Sequence, residues 1–185
     1  MVNSLVNTLM RALNLRLMFP IEQVKHWASK YADRKEDAAA FEAGKRIRDG
    51  DCSRKNLEEI VEWKSDRRKA LIADNTDDEI RDALTLALTA KQPRSALAVL
   101  IGLSGVALPM ASAIMTAMDD QDRYTIVDWR ALEALGEPEA DYSRMTMYLH
   151  EYLPTCRRIA NDASVSLRTL DRALWAWSEK KDREA

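Results

Sequence analysis

Asp128, in Ile126-Val127-Asp128-Trp129-Arg130, is a carboxylate at the start of a helical pattern. It can cap that helix, and an anion held there can stabilise positive charge developing on a reacting sugar or orient a water. A second feature lies upstream in Leu103-Ser104-Gly105-Val106-Ala107-Leu108-Pro109, a tight glycine-containing turn leading into a helix. Such a turn exposes backbone N–H groups and the positive end of a helix dipole, which together make a cradle for phosphate. The third is Trp63-Lys64-Ser65-Asp66-Arg67-Arg68-Lys69, which sets an aromatic ring beside a local cluster of cations at the end of a helix. Cations there stabilise the helix in any case and Trp63 can fill core. In a cleft, Lys64 and Arg67 could instead meet phosphate or an extruded base while Trp63 stacks on it.

The elements that must position these residues read as helices. Only five glycines and five prolines occur in 185 residues, so the composition predicts an all-α, compact multi-helix domain spanning 1–185. Leu5, Leu9, Ala12, Leu13 and Arg16 recur at helical spacing, and Val24, Trp27, Ala28 and Tyr31 form a second stripe after Pro20. An alanine-rich helix is expected over Lys35 to Asp49. Asn56-Leu57-Glu58-Glu59 and Thr76-Asp77-Asp78-Glu79 both read as capping boxes that open helices. Pro93 precedes a helical hairpin over 95–118, and Tyr124 to Val127 reads as a short extended stretch. A helix capped by Asp128 then runs to Gly136. Tyr142 to Ala160 and Leu167 to Lys180 complete the set.

The formal net charge of −2 excludes binding to nucleic acid through bulk charge, so any such site is a local patch. Ser95 to Met118 carries no charge and is long enough to cross a bilayer. The turn at 103–109 divides it, and the expectation is no membrane span. Two cysteines, Cys52 and Cys156, do not suggest a disulfide-stapled secreted domain, and the chain reads as cytoplasmic. His26 and His150 lie far apart, with no metal-ligand spacing around them, so no metal site is expected.

Residues 103–114 and 126–136, in that order and spacing, resemble the signature of the helix-hairpin-helix DNA glycosylases, in an 8-oxoguanine-glycosylase-like branch lacking the hairpin lysine. The resemblance implies a two-lobed all-α architecture. It places Gly105, Val106 and Ala107 against the backbone of double-stranded DNA, with a monovalent cation held by the turn carbonyls. Asp128 is implied as the catalytic carboxylate. The cation cluster then offers Trp63, Lys64 and Arg67 as cleft or base-pocket residues, with Tyr124 and Trp129 as alternatives. Departures from the pattern fall at Ser104, which replaces the usual proline, at Ala107 and at Pro109. Ala107 replaces the second turn glycine, a penalty of about 1 kcal/mol or more if that position is left-handed. Pro109 occupies the position of the lysine that attacks the sugar in bifunctional members. The resemblance therefore implies a monofunctional enzyme that uses water, and the cysteine count excludes the iron–sulfur cluster of some members. The alternative is a catalytically inactive module of the same fold that binds DNA or a protein. The base recognised and the oligomeric state are left open.

Overall fold

The computed structural model describes residues 13–32 and 35–184. It is all-helical, with no strand among the described residues. The chain enters as a non-helical segment over 13–19, bent at Met18 and Phe19, in which Leu15 and Phe19 are buried while Asn14, Arg16 and Met18 face out. The N–H groups of Arg16 and Met18 donate to the carbonyls of Leu135 (2.9 Å) and Ala134 (3.0 Å). Helical spacing through Leu13 and Arg16 is therefore overturned: period-two burial wins because the end of a distant helix satisfies this backbone. Leu5, Leu9 and Ala12 lie outside the described residues.

The helices α1 (Val24–Lys30) and α2 (Lys35–Arg48) follow, then α3 (Arg54–Ser65). The first expected capping box does not form, because α3 begins earlier with Ser53 at its cap position. Asn56 is instead buried, donating to the Asp51 carbonyl at 2.8 Å and accepting from Arg46 at 2.7 Å, while Glu59 pairs with Arg46 at 2.6 Å. A 3-10 turn, Asp66–Arg68, leads into the one-turn α4 (Lys69–Ile72). Helix α5 (Asp77–Thr89) opens with the Thr76–Glu79 capping box intact. The charge-free stretch becomes α6 (Pro93–Ile101) and α7 (Leu108–Met118).

Every residue of α7 except Pro109 is buried, which is why the segment is apolar all round. No helix among the described residues is long and apolar enough to cross a membrane. Beyond α7 come α8 (Trp129–Ala134), α9 (Met145–Met147), a π-turn (Tyr148–Tyr152), α10 (Leu153–Asp162) and α11 (Leu167–Glu184). The expected start at Tyr142 moves to Met145. The π-turn follows from Pro154, which has no N–H for the carbonyl four residues back and whose ring crowds it.

The strongest packing divides the helices into two sets. Helix α2 lies on α3 and α7, α7 on α3 and α6, and α6 on α5; separately, α11 lies along α1, α8 and α10. One hydrophobic core runs through both sets. At the centre of the first set, α2 and α7 approach so closely that a Cβ on Gly44 would stand 2.0 Å from the Ala117 carbonyl oxygen. Gly44→Ala should therefore overpack this contact and lower stability by about 3 kcal/mol. In a thermal melt this predicts a fall of roughly 6–12 °C, and an unchanged midpoint would contradict the packing.

Candidate functional site

The hairpin turn is built around Gly105, whose φ of +81° favours glycine and whose Cβ, were there one, would meet the Leu71 Cβ at 2.9 Å. Asn75 clamps the turn from below. Its amide oxygen accepts the Ser104 N–H at 2.8 Å, and its amide nitrogen donates to the carbonyls of Ser104 (3.1 Å) and Ile72 (3.0 Å). Ala107 sits at the cap position of α7 with φ −92° and ψ 174°, so alanine is unstrained there and the expected penalty does not arise. The first N–H bonded inside α7 is that of Ala111, to the Ala107 carbonyl at 2.9 Å. The N–H groups of Leu108 and Met110 precede it, Pro109 has none, and no side chain caps this end. The N-terminus of α7 thus keeps its positive end for an anion.

Asp128 is held at the opposite wall by a segment with no sheet partner. Residues 123–128 are neither helix nor strand, and side chains satisfy part of their backbone. Tyr148 donates to the Thr125 carbonyl (2.8 Å), Tyr152 to the Ile126 carbonyl (2.6 Å), and the Val127 N–H donates to Ser112 Oγ (3.1 Å). Asp128 then caps α8, its Oδ1 accepting the Ala131 N–H at 3.0 Å. Its Oδ2 takes Lys64 Nζ at 2.5 Å, and both side chains are 17% exposed.

Turn and carboxylate face one cleft of about 280 Å³, lined by Lys64, Arg67, Arg68, Gly105, Ala107 and Asp128 with an aromatic rim of Trp129, Tyr142 and Trp175. The first helix set supplies Lys64, Arg67, Arg68 and the turn; the second supplies Asp128, Arg130 and the rim. Trp129 is 44% exposed, and the Arg130 guanidinium stacks 4.3 Å above its ring. Lys69 points elsewhere, to Glu62 at 2.8 Å.

Comparison of the chain with family models, curated proteins and solved structures finds no match.

Behind Asp128 a smaller cavity of about 70 Å³ is lined by Tyr31, Trp63, Lys64, Asp128, Arg168, Asp171 and Trp175. Asp37 is the hub here, only 4% exposed at its side chain. It accepts from Trp63 Nε1 (2.6 Å) and Tyr31 Oη (3.1 Å) and is paired with Arg168 and with Arg172. Arg168 also pairs with Asp171. Burial pushes the Asp171 carboxyl above the usual carboxylate range; Arg168 and Lys64 pull it down, and the negative charge of Asp128 adds to the rise.

Of the residues singled out from sequence, Gly105, Ala107, Asp128, Lys64, Arg67 and Trp129 line the main cleft. Val106 does not: its side chain is buried and its N–H donates to the Leu103 carbonyl at 3.2 Å, closing the turn. Trp63 reaches only the rear cavity, because its N–H is taken by Asp37 and its ring packs edge-on against Phe41. Tyr124 is buried and borders a separate depression beside Phe41 and Asp119. The turn carbonyls of Leu103 and Ser104 each accept one hydrogen bond, from the Val106 N–H and from the Asn75 amide.

Asn75, Arg68, Tyr142 and Trp175 complete the site or support it. Only a three-dimensional arrangement identifies Asn75, which lies far from the hairpin in sequence. Asn75→Ala should orphan both backbone groups of Ser104 and lower stability by about 1–3 kcal/mol, read from denaturant melts. A wild-type melting curve would contradict the clamp.

Proposed function

We propose that the chain is a helix-hairpin-helix DNA glycosylase-like protein that hydrolyses the N-glycosidic bond of a modified base flipped from double-stranded DNA. The observation that carries this reading is the convergence of the Gly105–Ala107 turn and Asp128 on a single cleft. An anion cradle and a carboxylate on facing walls match a substrate whose phosphate backbone flanks a sugar acquiring positive charge. Duplex phosphates engage the N-terminus of α7 together with Arg67 and Arg68, a local basic patch on a chain of net charge −2. The extruded base lies against Trp129, Tyr142 and Trp175, which offer the π-surface that extrusion requires. As the bond from C1′ to the base breaks, Asp128 stabilises the positive sugar and orients water onto C1′; the base departs with the bonding electron pair and takes a proton. The division of the helices into two sets with the cleft between them also suits the two-lobed architecture of that family.

A second reading, the same fold as a binding module without catalysis, is favoured by the Lys64 contact, which neutralises Asp128 at 2.5 Å. The two readings separate on base release from duplexes carrying oxidised, alkylated, deaminated or hypermodified bases, with hot alkali to reveal abasic sites. Asp128→Asn keeps a good cap residue, so the protein folds and binds. The hydrolase reading predicts release by the wild type and a loss of about a hundredfold or more in this variant. Salt-dependent duplex binding by both proteins with release by neither would establish the binding module.

A further inference from the structure

We propose that Asp171 is a positioning residue for this site: it receives the Lys64 ammonium across the rear cavity, and that exchange of partners frees Asp128 to act. The purpose of the exchange rests on the hydrolase reading above; the exchange itself needs no substrate. The resting site holds a conflict. A carboxylate stabilises positive charge developing on a sugar only while its own charge is uncancelled, yet Lys64 Nζ stands 2.5 Å from Asp128 Oδ2. An ammonium left there would also repel the sugar as its bond to the base breaks. Lys64 therefore needs a second place to stand.

The rear cavity supplies one. Lys64, Asp128 and Asp171 all line it, and its volume of about 70 Å³ has room for only one or two water molecules, so Asp171 lies within the sweep of a lysine side chain. Lys64 is in the last turn of α3, where its flexible four-carbon stem can turn from one wall to the other without moving the helix. Asp171, on α11, is buried and only partly satisfied. Its Oδ2 pairs with Arg168, a guanidinium that Asp37 also claims, and its Oδ1 accepts no hydrogen bond from the described residues. Burial holds its carboxyl above the usual range while the charge of Lys64 lowers it, so a closer ammonium stabilises the ionised form.

The exchange conserves charge. Around the cavity the carboxylates of Asp37, Asp128 and Asp171 face the cations of Arg168, Arg172 and Lys64. With Lys64 on Asp128, Asp171 has only a share of Arg168. With Lys64 on Asp171, the uncompensated negative charge sits on Asp128, at the wall of the main cleft where the sugar becomes positive. No proton moves and no covalent bond changes; the lysine returns once the sugar has taken up water. Asp171 touches no substrate itself, because it lines the rear cavity and not the main cleft.

Asp128→Asn removes the charge that holds Lys64 while keeping the helix cap, and so tests the exchange in the full chain without substrate. A crystal structure of this variant should show Lys64 Nζ at hydrogen-bond distance from an Asp171 carboxylate oxygen. Lys64 remaining against residue 128, or extending into the main cleft, would overturn the proposal. Release kinetics on a duplex from which the wild type frees a base give the second measurement. Asp171→Asn should slow release about tenfold at unchanged duplex affinity. Adding Lys64→Met to that variant should recover most of the loss, because no ammonium is then left on Asp128. A residue that merely braced Arg168 would give a loss that Lys64→Met leaves in place, and that result would equally overturn the proposal. Lys64 found on Asp171 with no base released from any duplex would overturn the hydrolase reading alone; base release with Lys64 unmoved would overturn this inference alone.

Discussion

One carboxylate ties the molecule together. Asp128 begins α8 through Oδ1 and meets Lys64, on the other helix set, through Oδ2. A capping side chain is confined to the first turn of its helix, so the geometry of α8 fixes where the carboxylate stands. Lys64 and Asp128 thus stand on opposite cleft walls with their charged ends in contact. The Gly105 turn and the carboxylate face one cleft in this arrangement.

The arrangement is maintained by polar contacts inside an otherwise apolar core. A buried segment outside helix and sheet leaves backbone groups without regular partners; two tyrosine hydroxyls and Ser112 satisfy the Thr125 and Ile126 carbonyls and the Val127 N–H. Burial raises the Tyr148 phenol well above its ordinary range, so it stays protonated and remains a donor. The Asp37 hub performs the same service between the sets: one buried carboxylate collects Trp63, Tyr31, Arg168 and Arg172. Such a network contributes positional specificity more than net stability, because four partners must all be in place for the buried charge to be satisfied.

Much of this was legible in the sequence, and the parts that were not share a cause. Helical periodicity and the Thr76–Glu79 box identify local structure because their determinants lie within one turn of chain. The Gly105 turn and the Asp128 cap were visible for the same reason. At 13–19 helical spacing does not decide the structure, because the backbone partners are Leu135 and Ala134, and a spacing of leucines carries no information about them. Asn56 looked like a cap until tertiary contact with Arg46 and the Asp51 carbonyl claimed it. Trp63 beside cations suggested a stacking surface, yet Asp37 on another helix turns its indole inward. Lys64 lay in plain view as one of several cations; its distinction, contact with Asp128, exists only once the two helix sets are assembled.

The central claim is that the cleft between the helix sets is where duplex DNA sits. Amide hydrogen exchange, followed by mass spectrometry with and without a duplex containing a stable abasic analogue, tests it most directly. The account predicts slowed exchange in 64–68, 103–111 and 128–131, with the far surface around His26, Lys30 and Lys180 unchanged. Protection confined to that far surface, or none at saturating duplex and low salt, would contradict it.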